Sequence, residues 1–143
     1  MAKMIFVNLP VTDLARSIAF YEAVGFTADQ QFRDERAQMM TLSDNIHVML
    51  LTHGRFADFT PKAIPDAKTN AQVLICTSAD SREDVDAIVG RAAAAGAKLD
   101  PTPQQDMGGF MHGRSYEDPD GHIFEVMWMD VEAMTAAMQG EPA

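Results

Sequence analysis

The sequence predicts an α+β fold: two paired βαβββ modules forming a cup-shaped mixed β-sheet with helices outside. Three observations carry that prediction. The order strand, capped helix ending at glycine, further strands runs once over residues 4–52 and again over 71–129, as a repeat of pattern with little identity of residues. Between the two lies an aperiodic stretch, 53–70, broken by Gly54, Pro61 and Pro65. Each half has one helix to cover one face of a small sheet, so the halves are marginal alone and share a core when packed together. A chain of 143 residues is a single domain with room for such a core.

Taken in order, residues 4–9 form a short apolar strand closed by Pro10. Asp13 caps a helix carrying Leu14, Ile18 and Tyr21 at helical spacing, and Gly25 stops it. Strands follow at about 27–34, 36–43 and 46–52, the last two joined by a turn at Asp44-Asn45. The stretch 53–70, with Phe56 and Phe59, is a linker placed to close over a site. Residues 71–77 form the next strand. Ser81 with Asp84 opens a second helix, which runs through Val85, Ile88 and Val89 to Gly96. Two or three strands, at about 97–100, 110–117 and 123–129, complete the module, and a C-terminal helix over 130–139 places Met134 and Met138 on one stripe.

Eleven Lys+Arg against 21 Asp+Glu give a formal net charge of -10. Such a chain lacks the basic face that nucleic acid or an anionic membrane requires, so neither is expected as a partner. Cys76 is the lone cysteine, which excludes an internal disulfide framework and suits a reducing compartment. The N-terminus leads straight into a strand, with no secretory leader and no bilayer-spanning run, and the expected localisation is cytoplasmic.

The stretch most charged with chemistry is Glu117-Asp118-Pro119-Asp120-Gly121-His122 and the strand after it. Pro119 pre-sets a turn, and Gly121 supplies the positive φ that closes a bulged hairpin. In the apolar strand that follows, Glu125 stands between Phe124 and Val126. A carboxylate there needs a bonding partner, a metal or a wet face. Strand alternation puts Glu125 with Ile123, Met127 and Met129, and Phe124, Val126 and Trp128 on the opposite face. A bulge at Gly121 sets Ser115 across from Glu125; a slip of one residue sets Arg114 there as an ion pair. Among the histidines, His53 and His122 read as solvated and His47 as structural. His112, in the Gly-rich stretch 107–113, is the one placed for acid–base work. Cys76 reads as a small core residue.

These residues resemble the vicinal oxygen chelate superfamily, which includes glyoxalase I, bleomycin-resistance proteins, fosfomycin-resistance enzymes and extradiol dioxygenases. The resemblance rests on the stretch from Leu9 to Tyr21, on Gly25-Phe26 and on the stretch from Asp118 to Glu125. It implies the paired βαβββ modules, a homodimer, and four metal-ligand positions on strands of the cup. Carried over, those positions fall on Phe6, Leu50, Gln72 and Glu125. Phe6 and Leu50 cannot ligate, so no metal or other cofactor is expected; Gln72 and Glu125 are the residual candidates should a divalent metal bind.

The cup so built is apolar, with sparse polar points: Phe6, Asn8, Leu50, Gln72, Leu74, Ser115, Glu125 and Met127 line it, and Glu125 and His112 are the catalytic candidates. It suits a small organic molecule. The leading expectation is a small-molecule-binding protein of the bleomycin-resistance kind. The alternatives are a metal-dependent lyase, isomerase or dioxygenase, and a non-catalytic interaction protein whose cup is filled by side chains.

Overall fold

A computed structural model describes residues 2–104 and 109–140. Asp13 is an extended N-cap whose carboxylate accepts from the Arg16 backbone N–H at 3.1 Å, and it starts α1 (Leu14–Val24) at the position its spacing implies. Ser81 does the same for the longer helix Arg82–Ala94, accepting from the Asp84 N–H at 3.0 Å. The strands are β1 (Ile5–Val11), β2 (Thr27–Asp34), β3 (Ala37–Ser43), β4 (Ile46–Thr52), β5 (Leu74–Ser78), β6 (Met111–Glu117) and β7 (Ile123–Met129). A short helix, α2 (His53–Ala57), opens the linker, so Arg82–Ala94 is α3, and α4 (Val131–Gly140) ends the described chain.

The fold is the expected mixed α+β arrangement, with two open sheets and the helices outside. Four strands lie in the order β1-β4-β3-β2 and three in the order β5-β7-β6. The fourth strand expected in the second module, at 97–100, is reduced to an isolated bridge between Leu99 and Tyr116. Residues 71–73 fall outside β5, which leaves Gln72 off the strand.

By contacts the chain divides into two compact units, Met1–Gln72 with Asp118–His122, and Val73–Glu117 with Ile123–Ala143. In the first, Phe20, Tyr21 and Val24 of α1 are buried, as are Leu9, Val11, Val48 and Leu50 of the sheet. In the second, Val85, Val89 and Ala92 of α3 are buried with Tyr116, Phe124 and Val126. The Tyr116 and Phe124 rings stack at 5.4 Å. Each large aliphatic or aromatic side chain so buried stabilises its unit by about 1.5–3 kcal/mol.

The turn between β6 and β7 belongs with the first unit. The Tyr21 hydroxyl donates to Asp118 Oδ2 at 2.6 Å, and the backbone N–H groups of Asp120 and His122 donate to Asp118 Oδ1 at 3.0 and 2.8 Å. Thr12 donates twice to Asp120 Oδ1, from its N–H at 3.0 Å and its hydroxyl at 2.7 Å. His122 Nε2 donates to the Pro10 carbonyl at 2.8 Å, so this histidine is anchored and not merely solvated. Gly121 has φ +102°, and a Cβ built there would lie 2.7 Å from the Ala67 carbonyl oxygen. Only glycine fits, for its conformation and for its neighbour alike.

Candidate functional site

Strand register decides what Glu125 faces. In the antiparallel β6–β7 pair Ser115 is the partner of Glu125, and in the parallel β5–β7 pair Cys76 is. Glu125 is half-buried and forms no hydrogen bond or ion pair among the described residues. Arg114 pairs with Val126 in the ladder, and its guanidinium reaches Asp100 at 2.7 Å, holding that carboxyl below its usual range. The ion pair between Arg114 and Glu125 does not form.

Met111, Gly113, Ser115, Cys76 and Met127 share a recess of about 40 Å³ with Glu125. That volume suits water and no organic molecule. Ser115 is buried, and its hydroxyl is fully employed: it donates to the Thr102 carbonyl at 3.2 Å and accepts from the Thr102 N–H at 3.0 Å. It therefore fixes the residues before 105 rather than offering a free hydroxyl. Leu74 is exposed on the face of Cys76 and Glu125.

His112 does not join them. It is the ladder partner of Trp128, on the face covered by α3, and its Nε2 lies 2.9 Å from Asp86. The cause is parity: alternate residues of β6 face opposite ways, and Ser115 across from Glu125 fixes His112 on the other side. Met107 and Gly108 of its Gly-rich stretch lie outside the described residues. The hydrogen bond to His112 is the largest influence holding the Asp86 carboxyl below its usual range.

Cys76 corrects a second expectation, being exposed rather than core. Partial burial among its strand neighbours pushes its thiol up, and the charge of Glu125 adds to the shift. A thiol so shifted is a poor nucleophile near neutrality.

In the first unit, β1 and β4 are parallel, with Phe6 opposite His47, Asn8 opposite Met49, Leu9 opposite Leu50 and Pro10 opposite Leu51. Leu50, expected beside Phe6 and Asn8, is on the other face, wholly buried in the core under α1. The parallel register puts His47, Met49 and Leu51, and not Leu50, on the face of Phe6 and Asn8. Phe6 stacks on His47, ring centroids 4.9 Å apart. His47 is held by Thr41 at Nδ1 (2.9 Å) and by donation to the Asp44 carbonyl at Nε2 (3.2 Å). Asn8 and Leu51, with Phe56, Phe59 and Thr60 of the linker, surround a recess of about 360 Å³. Arg55 lies over the Phe59 ring, 4.4 Å from its centroid.

Leu51 and Thr60 were missed in the sequence, Leu51 because it depends on inter-strand register and Thr60 because the linker has no periodicity. The four positions carried over from metal-using relatives do not make a donor set for a divalent ion. Phe6 is apolar, Leu50 faces the core, Gln72 is off its strand, and Glu125 is left as the one anionic donor. Among the described residues no group of three or more His, Cys, Asp or Glu is placed to hold a metal.

The model of the Glyoxalase/Bleomycin resistance protein/Dioxygenase superfamily matches residues 3–126. The chain belongs to that superfamily. Solved structures agree on the fold. A hypothetical protein of S. aureus, SA1046, is 24% identical with a TM-score of 0.73, over 90% of this chain and 94% of that one. A glyoxalase/bleomycin resistance protein/dioxygenase family enzyme from Burkholderia phytofirmans PsJN is 22% identical with a TM-score of 0.72, over 90% and 99%. TnmS3, an antibiotic binding protein from Streptomyces sp. CB03234, is 20% identical with a TM-score of 0.61, over 90% and 97%. No curated protein matches the superfamily member described here.

Proposed function

We propose that this chain binds a small organic molecule, with the recess of Asn8, Leu51, Phe56, Phe59 and Thr60 holding the ligand's apolar part. That recess is the observation that carries the reading. Two phenyl rings and a leucine supply an apolar wall, one amide and one hydroxyl supply orientation, and about 360 Å³ admits a ring system. An antibiotic binding protein among the structures of similar fold supports binding as the primary activity. Glu125, in the second unit, has a side chain without a partner among the described residues and is a separate candidate acceptor there.

We read the protein as a homodimer and as cytoplasmic. Exposed Met4, Ile5, Phe6 and Ile46, and Met138 on α4, support the first by leaving apolar surface to cover. Light scattering that gives one chain mass at micromolar concentration would remove the dimer.

Ligand-observed NMR of the full chain against a panel of uncharged hydroxylated aromatic compounds tests the binding reading. It requires binders that are lost on Phe56→Ala and weakened on Asn8→Ala. Binders indifferent to both substitutions, or no binders, would overturn it. Elemental analysis covers the catalytic alternative: a stoichiometric divalent ion lost on Glu125→Gln would move the assignment to a metal-dependent lyase, isomerase or dioxygenase.

A further inference from the structure

A second recess, of about 330 Å³, lies in the first unit and shares no residue with those described above. Its lining comes from stretches distant in sequence, among them Thr12, His53, Asp66, Lys68, Asp120 and His122. The close approach of Gly121 to the Ala67 backbone holds the walls together, so the recess is built into the packing of the linker on the turn.

Asp120 marks the recess chemically. The residue is only 6% exposed, and while Oδ1 takes two bonds from Thr12, Oδ2 is buried with no hydrogen-bond partner among the described residues. A carboxylate oxygen taken from water without a donor is costly, and it throws a negative potential into the nearest unfilled space. His122 adds a second acceptor. Its Nε2 donates to the Pro10 carbonyl, so in the neutral ring Nδ1 keeps a lone pair. Asp66 and Asp120 set two carboxylates against the one ammonium of Lys68, in a chain of net charge -10. The balance of charge disfavours an anion. A divalent metal is disfavoured too, since no group of three ligating side chains is assembled among the described residues.

We propose that this recess between the turn Asp118–His122 and the linker is a binding site for a small organic ammonium, recognised by the Asp120 carboxylate. The negative field of the Asp120 carboxylate, whose Oδ2 is covered and unpaired among the described residues, draws the ammonium into the recess. His53, exposed at the start of α2, and His122 flank it, and Lys68 opposes it by charge. That opposition gives the site a test of sign as well as of magnitude.

Calorimetric titration of the full chain with putrescine is the experiment, with uncharged butanediol and with inorganic phosphate as comparators. Saturable putrescine binding at one site per chain is expected, with none for the diol or for phosphate. Asp120→Asn, which keeps an acceptor for Thr12, weakens it about tenfold or more. Lys68→Met tightens it, because a like charge is removed. The Lys68→Met arm stands even if Asp120→Asn fails to fold. Absence of saturable putrescine binding, phosphate binding in its place, equal binding of the diol, or unchanged or weaker binding in Lys68→Met would each overturn the proposal.

Discussion

The turn Asp118–His122 and the strand β7 that follows it carry three carboxylates and use them in opposite ways. Asp118 and Asp120 are buried, and together they accept five hydrogen bonds, two of them from Thr12 and one from Tyr21. Glu125, on the same stretch of sequence, is half-buried, and its carboxylate is bonded to nothing among the described residues. Both regions combine acidic side chains with apolar neighbours. Supply of donors separates them: the turn presents its own backbone N–H groups and meets α1, whereas the strand has spent its N–H groups on the ladder. Asp118, bonded at both oxygens, belongs to the fold, whereas Asp120 is held through Oδ1 alone. A carboxylate left unsatisfied on a half-covered face is free for a ligand.

The widest gap between the two regions is in stability. Asp118→Ala strands the Tyr21 hydroxyl and two backbone N–H groups, each costing about 1–3 kcal/mol when left buried without an acceptor. Urea unfolding is expected to show a loss of at least about 3 kcal/mol. Asp118→Asn keeps the oxygen that takes the backbone bonds and costs about 1 kcal/mol at neutral pH. A mild Asp118→Ala would break the contrast at its strong end.

The next effect is one of pH. Burial pushes the Asp118 carboxyl above its ordinary range, against the opposing pull of His122 and the Tyr21 bond. The folded chain then binds this proton more tightly than the unfolded chain. Its contribution is largest below the ordinary carboxyl value of 3.8 and is lost as pH rises through the folded value. Asp58, Asp86 and Asp100, held low by arginine or histidine partners, act with the opposite sign, losing their contribution as pH falls. The penalty of Asp118→Asn against the parent protein therefore grows as pH is lowered from about 7 towards about 4. A penalty that shrinks over that range would contradict the direction assigned to Asp118.

A smaller effect sharpens the strand end. Arg114→Met removes a half-buried partner of Asp100 and costs about 1 kcal/mol. Because Arg114 and Glu125 lie on opposite faces of the sheet, its combination with Glu125→Gln is additive to within about 0.5 kcal/mol in a double-mutant cycle. Smallest of all is the thiol. Cys76 is exposed yet is expected to react slowly with iodoacetamide near neutral pH, and Glu125→Gln is expected to speed it a few-fold by removing one of the two causes of the raised thiol. No change of rate would mean the two side chains do not sense each other.

Much of this was legible in the sequence wherever the signal was local. Asp13 and Ser81 announced their helices because a cap acts within three residues, and the alternation of β7 put Glu125 on the face away from Phe124 and Val126. Non-local facts were hidden. Leu50 and Leu51 are equally apolar, and only the pairing of β4 with β1 says which of them joins Asn8. His112 was placed by flexible neighbours when parity with Ser115 governed it. The Tyr21–Asp118 bond joins residues far apart in the chain, so each motif was visible while their contact was not. The strand expected at 97–100 failed for want of a partner beyond one bridge to Tyr116.

The division between a clamp and a site is tested most directly by one unfolding curve, that of Glu125→Gln in urea at neutral pH. A stability within about 0.5 kcal/mol of the parent protein is expected, because the substitution breaks no side-chain bond among the described residues. A loss approaching that of Asp118→Ala would make Glu125 a structural carboxylate like its neighbours and would contradict the assignment.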